Sequence, residues 1–162
     1  MLIEGALYLL AQPDADDEAK EKLLAAVNEL TDTHEGARNA ALHNAVSACM
    51  WLIAAHNKNP AQTSVYGLRM LQNACQVLQN LSMLIWQDDG TNASYVTRIK
   101  DAGAVEALTK LQQDRSRVLD ARASTSADRR KVYGYLCLVA KEAISEIELD
   151  TNDKRPPAHD DP

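Results

Sequence analysis

Histidine side chains, with one cysteine among them, are the residues whose types could bind a metal. His34, His43 and His56 lie in one region with Cys49. The intervals of nine and thirteen residues between the histidines match no zinc-binding pattern. The sequence therefore predicts polar residues at helix ends and no metal site.

The cysteines are candidates for redox or nucleophilic chemistry. Cys49, Cys75 and Cys137 are odd in number and widely spaced, and each has apolar sequence neighbours. Reduced cysteine is among the most buried residue types, so we expect three buried thiols rather than disulfides, ligands or nucleophiles.

Motifs for other chemistry are absent from the sequence. It contains no glycine-rich phosphate loop, no Gly-x-Ser-x-Gly elbow and no His-Glu-x-x-His. The run Asp88-Asp89-Gly90-Thr91-Asn92 lacks the ligand spacing of a calcium loop and predicts a turn. We expect no enzyme activity and no cofactor.

Amide side chains form the clearest candidate for a binding site. They recur within one apolar periodic segment and are Gln72, Asn73, Gln76, Gln79 and Asn80. Their spacing places them on one side of a helix, with Leu71, Cys75, Leu78 and Leu81 mainly on the other. Amides both donate and accept hydrogen bonds, so this amide strip suits recognition of a peptide backbone. The alternative is that the amides contact a neighbouring helix or water.

The segment 114–131 is the one local concentration of basic residues, although aspartates are interleaved with them. A solvated loop is the simpler interpretation. The functional alternative is an insertion that docks an acidic partner or is phosphorylated at Ser124 or Ser126, which would place about −1.5 to −2 charges beside arginines.

Composition predicts the elements that must position these residues. The 162-residue chain is 46% hydrophobic but has no Phe, so its core must be built from Leu, Ala, Val and Ile. Ala and Leu are strong helix formers, and strand or hairpin signals are scarce. The sequence therefore predicts one all-α domain over residues 1–149, followed by a disordered acidic and Pro-rich tail over 150–162.

Charge and hydropathy limit the environment of the protein. The formal net charge of −6 argues against a nucleic-acid partner. No apolar run is long enough to span a bilayer, and the acidic residue at the start does not fit a secretion signal. We expect a soluble cytoplasmic protein with no membrane partner.

Apolar spacing of three and four residues and the turn signals between periodic segments locate the helices. The predicted helices are 2–11, 18–31, 35–42, 45–55, 62–87, 94–101, 104–113 and 127–149. Trp51 and Trp86 each follow an apolar periodic stretch, which favours a core or seam position over a binding anchor.

Three breaks share one pattern of a turn residue, an alanine and then an aliphatic residue. They occur at Gly5, Asn44 and Gly103. Gly and Asn are the residues that best tolerate the left-handed conformation, so Asn44 can replace a glycine. The breaks are 39 and 59 residues apart, which indicates an irregular repeat of helical units.

One stretch resembles the junction between the first and second helices of an armadillo repeat. It reads Tyr95-Val96-x-x-Ile99-x-x-Ala102-Gly103-Ala104-Val105-x-x-Leu108. Upstream, Val77-Leu78-Gln79-Asn80-Leu81-Ser82 is similar to the end of the family's third helix. The resemblance is good over 74–111, fair over 3–31 and degenerate over 34–60. It implies a right-handed α-solenoid of about three irregular repeats, whose third helices line a concave face that binds extended peptides or proteins.

The sequence also departs from the family. Nuclear-import adaptors have a Trp four residues before the groove Asn, where this chain has Gln76. The Asn of the first long helix is replaced by Glu29, and residues 133–140 contain no Asn. We therefore do not expect recognition of nuclear-import signals. The first unit starts at its second helix, so it is either a cap that has lost a helix or part of a longer solenoid.

Two function classes follow from the sequence. The first is a non-catalytic protein-interaction module or scaffold that binds a partner on the concave face. The second is a structural subunit packed permanently in a large assembly, such as a cytoskeletal or ciliary complex. A truncated solenoid exposes its core, so a broad apolar patch would favour the second class or self-association through an uncapped end.

Overall fold

The computed structural model describes residues 2–12, 14–58, 64–83, 92–113 and 127–149. Within these ranges the chain is helical and contains no strand, which confirms the all-α prediction. The helices are α1 (Leu2–Leu10), α2 (Asp17–Thr31), α3 (His34–Leu42), α4 (Ala45–Lys58), α5 (Val65–Met83), α6 (Asn92–Asp101), α7 (Ala104–Gln113) and α8 (Ala127–Glu148). The predicted tail, Ser124, Ser126, Trp86 and the turn at 88–91 lie outside the described residues.

Side-chain caps begin two of the helices. Thr33 precedes α3, and its Oγ1 accepts a hydrogen bond of 3.1 Å from the Gly36 N–H. The Ser64 Oγ accepts from the Gly67 N–H at 2.9 Å and donates to the Asp17 carboxylate at 2.6 Å. The Ser64 bonds thus cap α5 and also connect it to the start of α2.

Two of the three predicted breaks have the expected geometry. Asn44, between α3 and α4, has φ 64°, and Gly103, between α6 and α7, has φ 77°. Both residues occupy the left-handed region, where a β-branched side chain is strongly disfavoured. The break predicted at Gly5 is wrong, because Gly5 lies inside α1.

The long helix α5 is central to the packing. Both α2 and α8 pack along it, and α4 also contacts it. The helix α7 packs against α4 and α8, while α1 packs mainly on α2. Leucine and alanine supply much of the core, and Tyr133 is the largest fully buried side chain among the described residues. The Tyr133 hydroxyl donates a 2.8 Å hydrogen bond to the Leu111 carbonyl, which joins α8 to α7.

Two residues of α4 differ in burial. His56 lies in the last turn, near the helix end as predicted, but it is buried at 5% exposure, and its ring centroid is 6.4 Å from that of Tyr133. The helix extends to Lys58, past its predicted end at Ala55. Trp51 is 49% exposed, so the core position, one of its two predicted alternatives, is wrong. Lys20 Nζ lies 5.8 Å from the centroid of the Trp51 ring.

Candidate partner-binding face

The amide strip lies on one side of α5, as its spacing predicts. All five side chains are half-buried. On the other side Leu71, Cys75, Leu78 and Leu81 are at most 1% exposed. The burial confirms which face of α5 enters the core. It also shows that the amides lie at the boundary between the helix layer and solvent.

Two amides of the strip bond to α2. The Asn80 Nδ2 donates to Thr31 Oγ1 at 3.0 Å and to Asp32 Oδ1 at 3.1 Å. The Asn73 Oδ1 accepts from Asn28 Nδ2 at 3.3 Å. Both amide hydrogens of Asn80 are therefore used within the chain, and this residue is a bridge between α5 and the end of α2.

A third amide bonds to α8. The Gln72 Nε2 donates a 3.0 Å hydrogen bond to the carbonyl oxygen of Val132. Gln72 and Asn73 are adjacent in sequence, yet their side chains reach different neighbours. The strip thus follows the surface where α2, α5 and α8 meet.

Within the described part of the chain, Gln76 in the middle of the strip bonds only to side chains of α5. Its Nε2 donates to Gln79 Oε1 at 3.2 Å and to Asn80 Oδ1 at 3.3 Å. The sequence left open whether the amides contact a neighbouring helix or a partner. For Gln72, Asn73 and Asn80 the contact with a neighbouring helix is present. Gln76 and Gln79 make amide-to-amide bonds, which a peptide backbone can replace with bonds of the same kind.

The described residues contain no cluster of metal-binding side chains. No group of three or more His, Cys, Asp or Glu side chains within them is arranged to hold a metal ion. All three cysteines are buried, as predicted, and none of them forms a disulfide. Burial raises the pKa of Cys49 to about 12 and also raises that of Cys75. These thiols stay protonated near neutral pH and are poor nucleophiles.

Sequence reasoning missed a surface cavity of about 340 Å³ between α1 and α4. Tyr8, which is 67% exposed, and Trp51 line it together with Glu4, Asn44 and Ser47. The available signal was Trp51 itself, since tryptophan is enriched at binding hot spots. Its partner Tyr8 is 43 residues away, a proximity that helix periodicity does not encode.

Comparisons with protein-family models, with curated proteins and with solved structures find no match. None of the described helices is both long enough and apolar enough to cross a membrane.

Proposed function

We propose that this protein is a non-catalytic interaction module with an armadillo-like solenoid fold, and that its amide strip binds an extended segment of a partner protein. The observation that carries this proposal is the position of Gln76. It is half-buried at the centre of the strip, and among the described residues its amide hydrogens are held by Gln79 and Asn80 alone.

The helix arrangement supports the solenoid part of the proposal. The helices α3, α4 and α5 form one unit, and α6, α7 and α8 form a second, each with a left-handed residue between its first two helices. The last helices of these units, α5 and α8, pack along each other, and so do α2 and α5. Units of this kind bury their faces by stacking on one another, which leaves surface rather than a pocket for function.

The surface chemistry supports peptide binding at the strip. Two amides of the strip that bond to each other can instead bond to the N–H and C=O groups of an extended peptide backbone. The free energy of hydrogen bonding changes little, because the new bonds are of the same kind. The exposed Asp32 carboxylate beside Asn80 adds a negative charge at one edge. The segment that fits best is therefore extended and neutral or weakly basic.

The experiment is a selection of random peptides displayed on phage against the full chain, followed by affinity measurement on the enriched peptides. Fluorescence anisotropy should show that Gln76→Ala weakens binding by about 5- to 100-fold, which corresponds to about 1–3 kcal/mol. The melting temperature of this variant should stay near that of the wild type, because the Gln76 side chain makes no bond to another of the described helices.

Asn39→Ala is the matched control, since it removes an exposed amide from α3, outside the strip. Peptides whose affinity is the same for wild type and Gln76→Ala would contradict the proposal. Failure to enrich any peptide would also contradict it. Either result would favour the second candidate, a structural subunit, for which the exposed Tyr8, Leu9, Tyr135 and Leu138 supply apolar contact area.

A further inference from the structure

The outer face of α8 carries a stripe of solvent-exposed residues. Its members are Lys131, Tyr135, Leu138, Glu142 and Ser145, with Leu149 directly after the helix, and all six are exposed. The spacing of four, three, four, three and four residues is that of a helix–helix contact seam. Tyr135 is 58% exposed and Leu138 is 50% exposed, so the centre of this stripe presents large apolar side chains to solvent.

The central part of the stripe is self-complementary. From Lys131 through Tyr135 and Leu138 to Glu142 the spacing is four, three and four, which is the same in both directions. An identical helix that runs antiparallel, with a two-fold axis between Tyr135 and Leu138, places Lys131 opposite Glu142. It also places Tyr135 opposite Leu138. Each contact then occurs twice, as in an isologous interface.

Neither charge of this stripe has an ionic partner within the described part of the chain. Lys131 and Glu142 are eleven residues apart, about 16 Å along the helix axis, so they cannot pair within α8. An antiparallel second copy places Glu142 opposite Lys131 and so supplies an ionic partner for both charges.

Gly134 beside the apolar centre fits the same arrangement. A Cβ atom built at this position meets nothing within 4 Å, so the fold of the single chain does not require a glycine there. Glycine inside a helix is less favourable than alanine, because it loses more conformational freedom on folding. Because Gly134 has no side chain, nothing protrudes from α8 at this position, and a second helix can approach Tyr135 and Leu138 closely.

We propose that two copies of this chain form a two-fold symmetric dimer through antiparallel packing of their α8 helices. This interface is separate from the amide strip, and it does not depend on the proposed peptide binding. One helix pair buries less surface than a standard interface, so the dimer should be weak and its formation should depend on protein concentration.

The test is sedimentation equilibrium of the full chain between about 1 and 500 µM. The wild type should show a concentration-dependent monomer–dimer equilibrium, and Leu138→Glu should remove it. Lys131→Glu and Glu142→Lys should each weaken dimerisation at least about tenfold, because each variant places like charges opposite one another twice.

An equimolar mixture of Lys131→Glu and Glu142→Lys should restore the dimer, because only the mixed pair has opposite charges at both contacts. Thermal melts of the separate variants check that both fold. Leu9→Glu is the control, since it removes an exposed apolar side chain from α1. The proposal is overturned if the wild type stays monomeric at 500 µM, if the mixture of folded variants does not associate, or if Leu9→Glu dissociates the dimer.

Discussion

Replacement of Asn80 by alanine tests whether the amide strip joins α5 to α2. The change removes the bonds from Asn80 Nδ2 to Thr31 Oγ1 and to Asp32 Oδ1, while the freed Gln76 amide can turn to water. Thr31 is 3% exposed, so its bond contributes about 1 kcal/mol, and the bond to the exposed Asp32 contributes a similar amount after screening. Alanine recovers about 0.6 kcal/mol through its higher helix propensity.

The free energy of unfolding should therefore fall by about 1.4 kcal/mol, which lowers the melting temperature by about 3–6 °C for a chain of this size. Urea denaturation followed by circular dichroism gives the free energy, and a thermal melt gives the temperature. Gln79→Ala is the matched control, because this change removes only the described side-chain bond between Gln79 and Gln76, within α5. The melting temperature of this variant should equal that of the wild type. If the two variants melt at the same temperature, the bridge between α5 and α2 is not stabilising and the reasoning is refuted.

Three further predictions concern the backbone and the core. Gly36→Ala should lower the free energy of unfolding by about 2 kcal/mol or more in urea titrations, because the Cβ of the new alanine would collide with the Leu30 carbonyl. If the variant unfolds at the same urea concentration as the wild type, Gly36 and Leu30 do not approach each other this closely. Gly103→Val should cost about 1 kcal/mol or more, since φ is 77°, and an unchanged melting temperature would count against the left-handed junction. Cys49 and Cys75 should react with a thiol reagent at pH 8 only after unfolding, and rapid labelling of the native protein would show that these thiols are accessible. Because burial raises the pKa of both thiols in the folded state above that of an exposed cysteine, stability should decline as the pH rises above about 9.

The positions of the helices could be predicted from the sequence. The end of α2 at Thr31, the span of α7 and the left-handed residues Asn44 and Gly103 all follow from neighbours a few residues away. Apolar spacing and turn chemistry act over one or two helical turns, so a single sequence contains this information. Gly5 shows the limit of that reasoning, because the same local pattern there continues as a helix.

The neighbours of the amide strip were decided by tertiary packing. The periodicity of α5 predicts that Asn80 is on the polar side of the helix, but not that its amide bonds to Thr31, 49 residues earlier. The same applies to Trp51, which lines a cavity with Tyr8, and to His56, which is buried next to Tyr133. Helical period encodes which face of a helix is apolar, whereas the choice of facing helix depends on how all the apolar faces pack together.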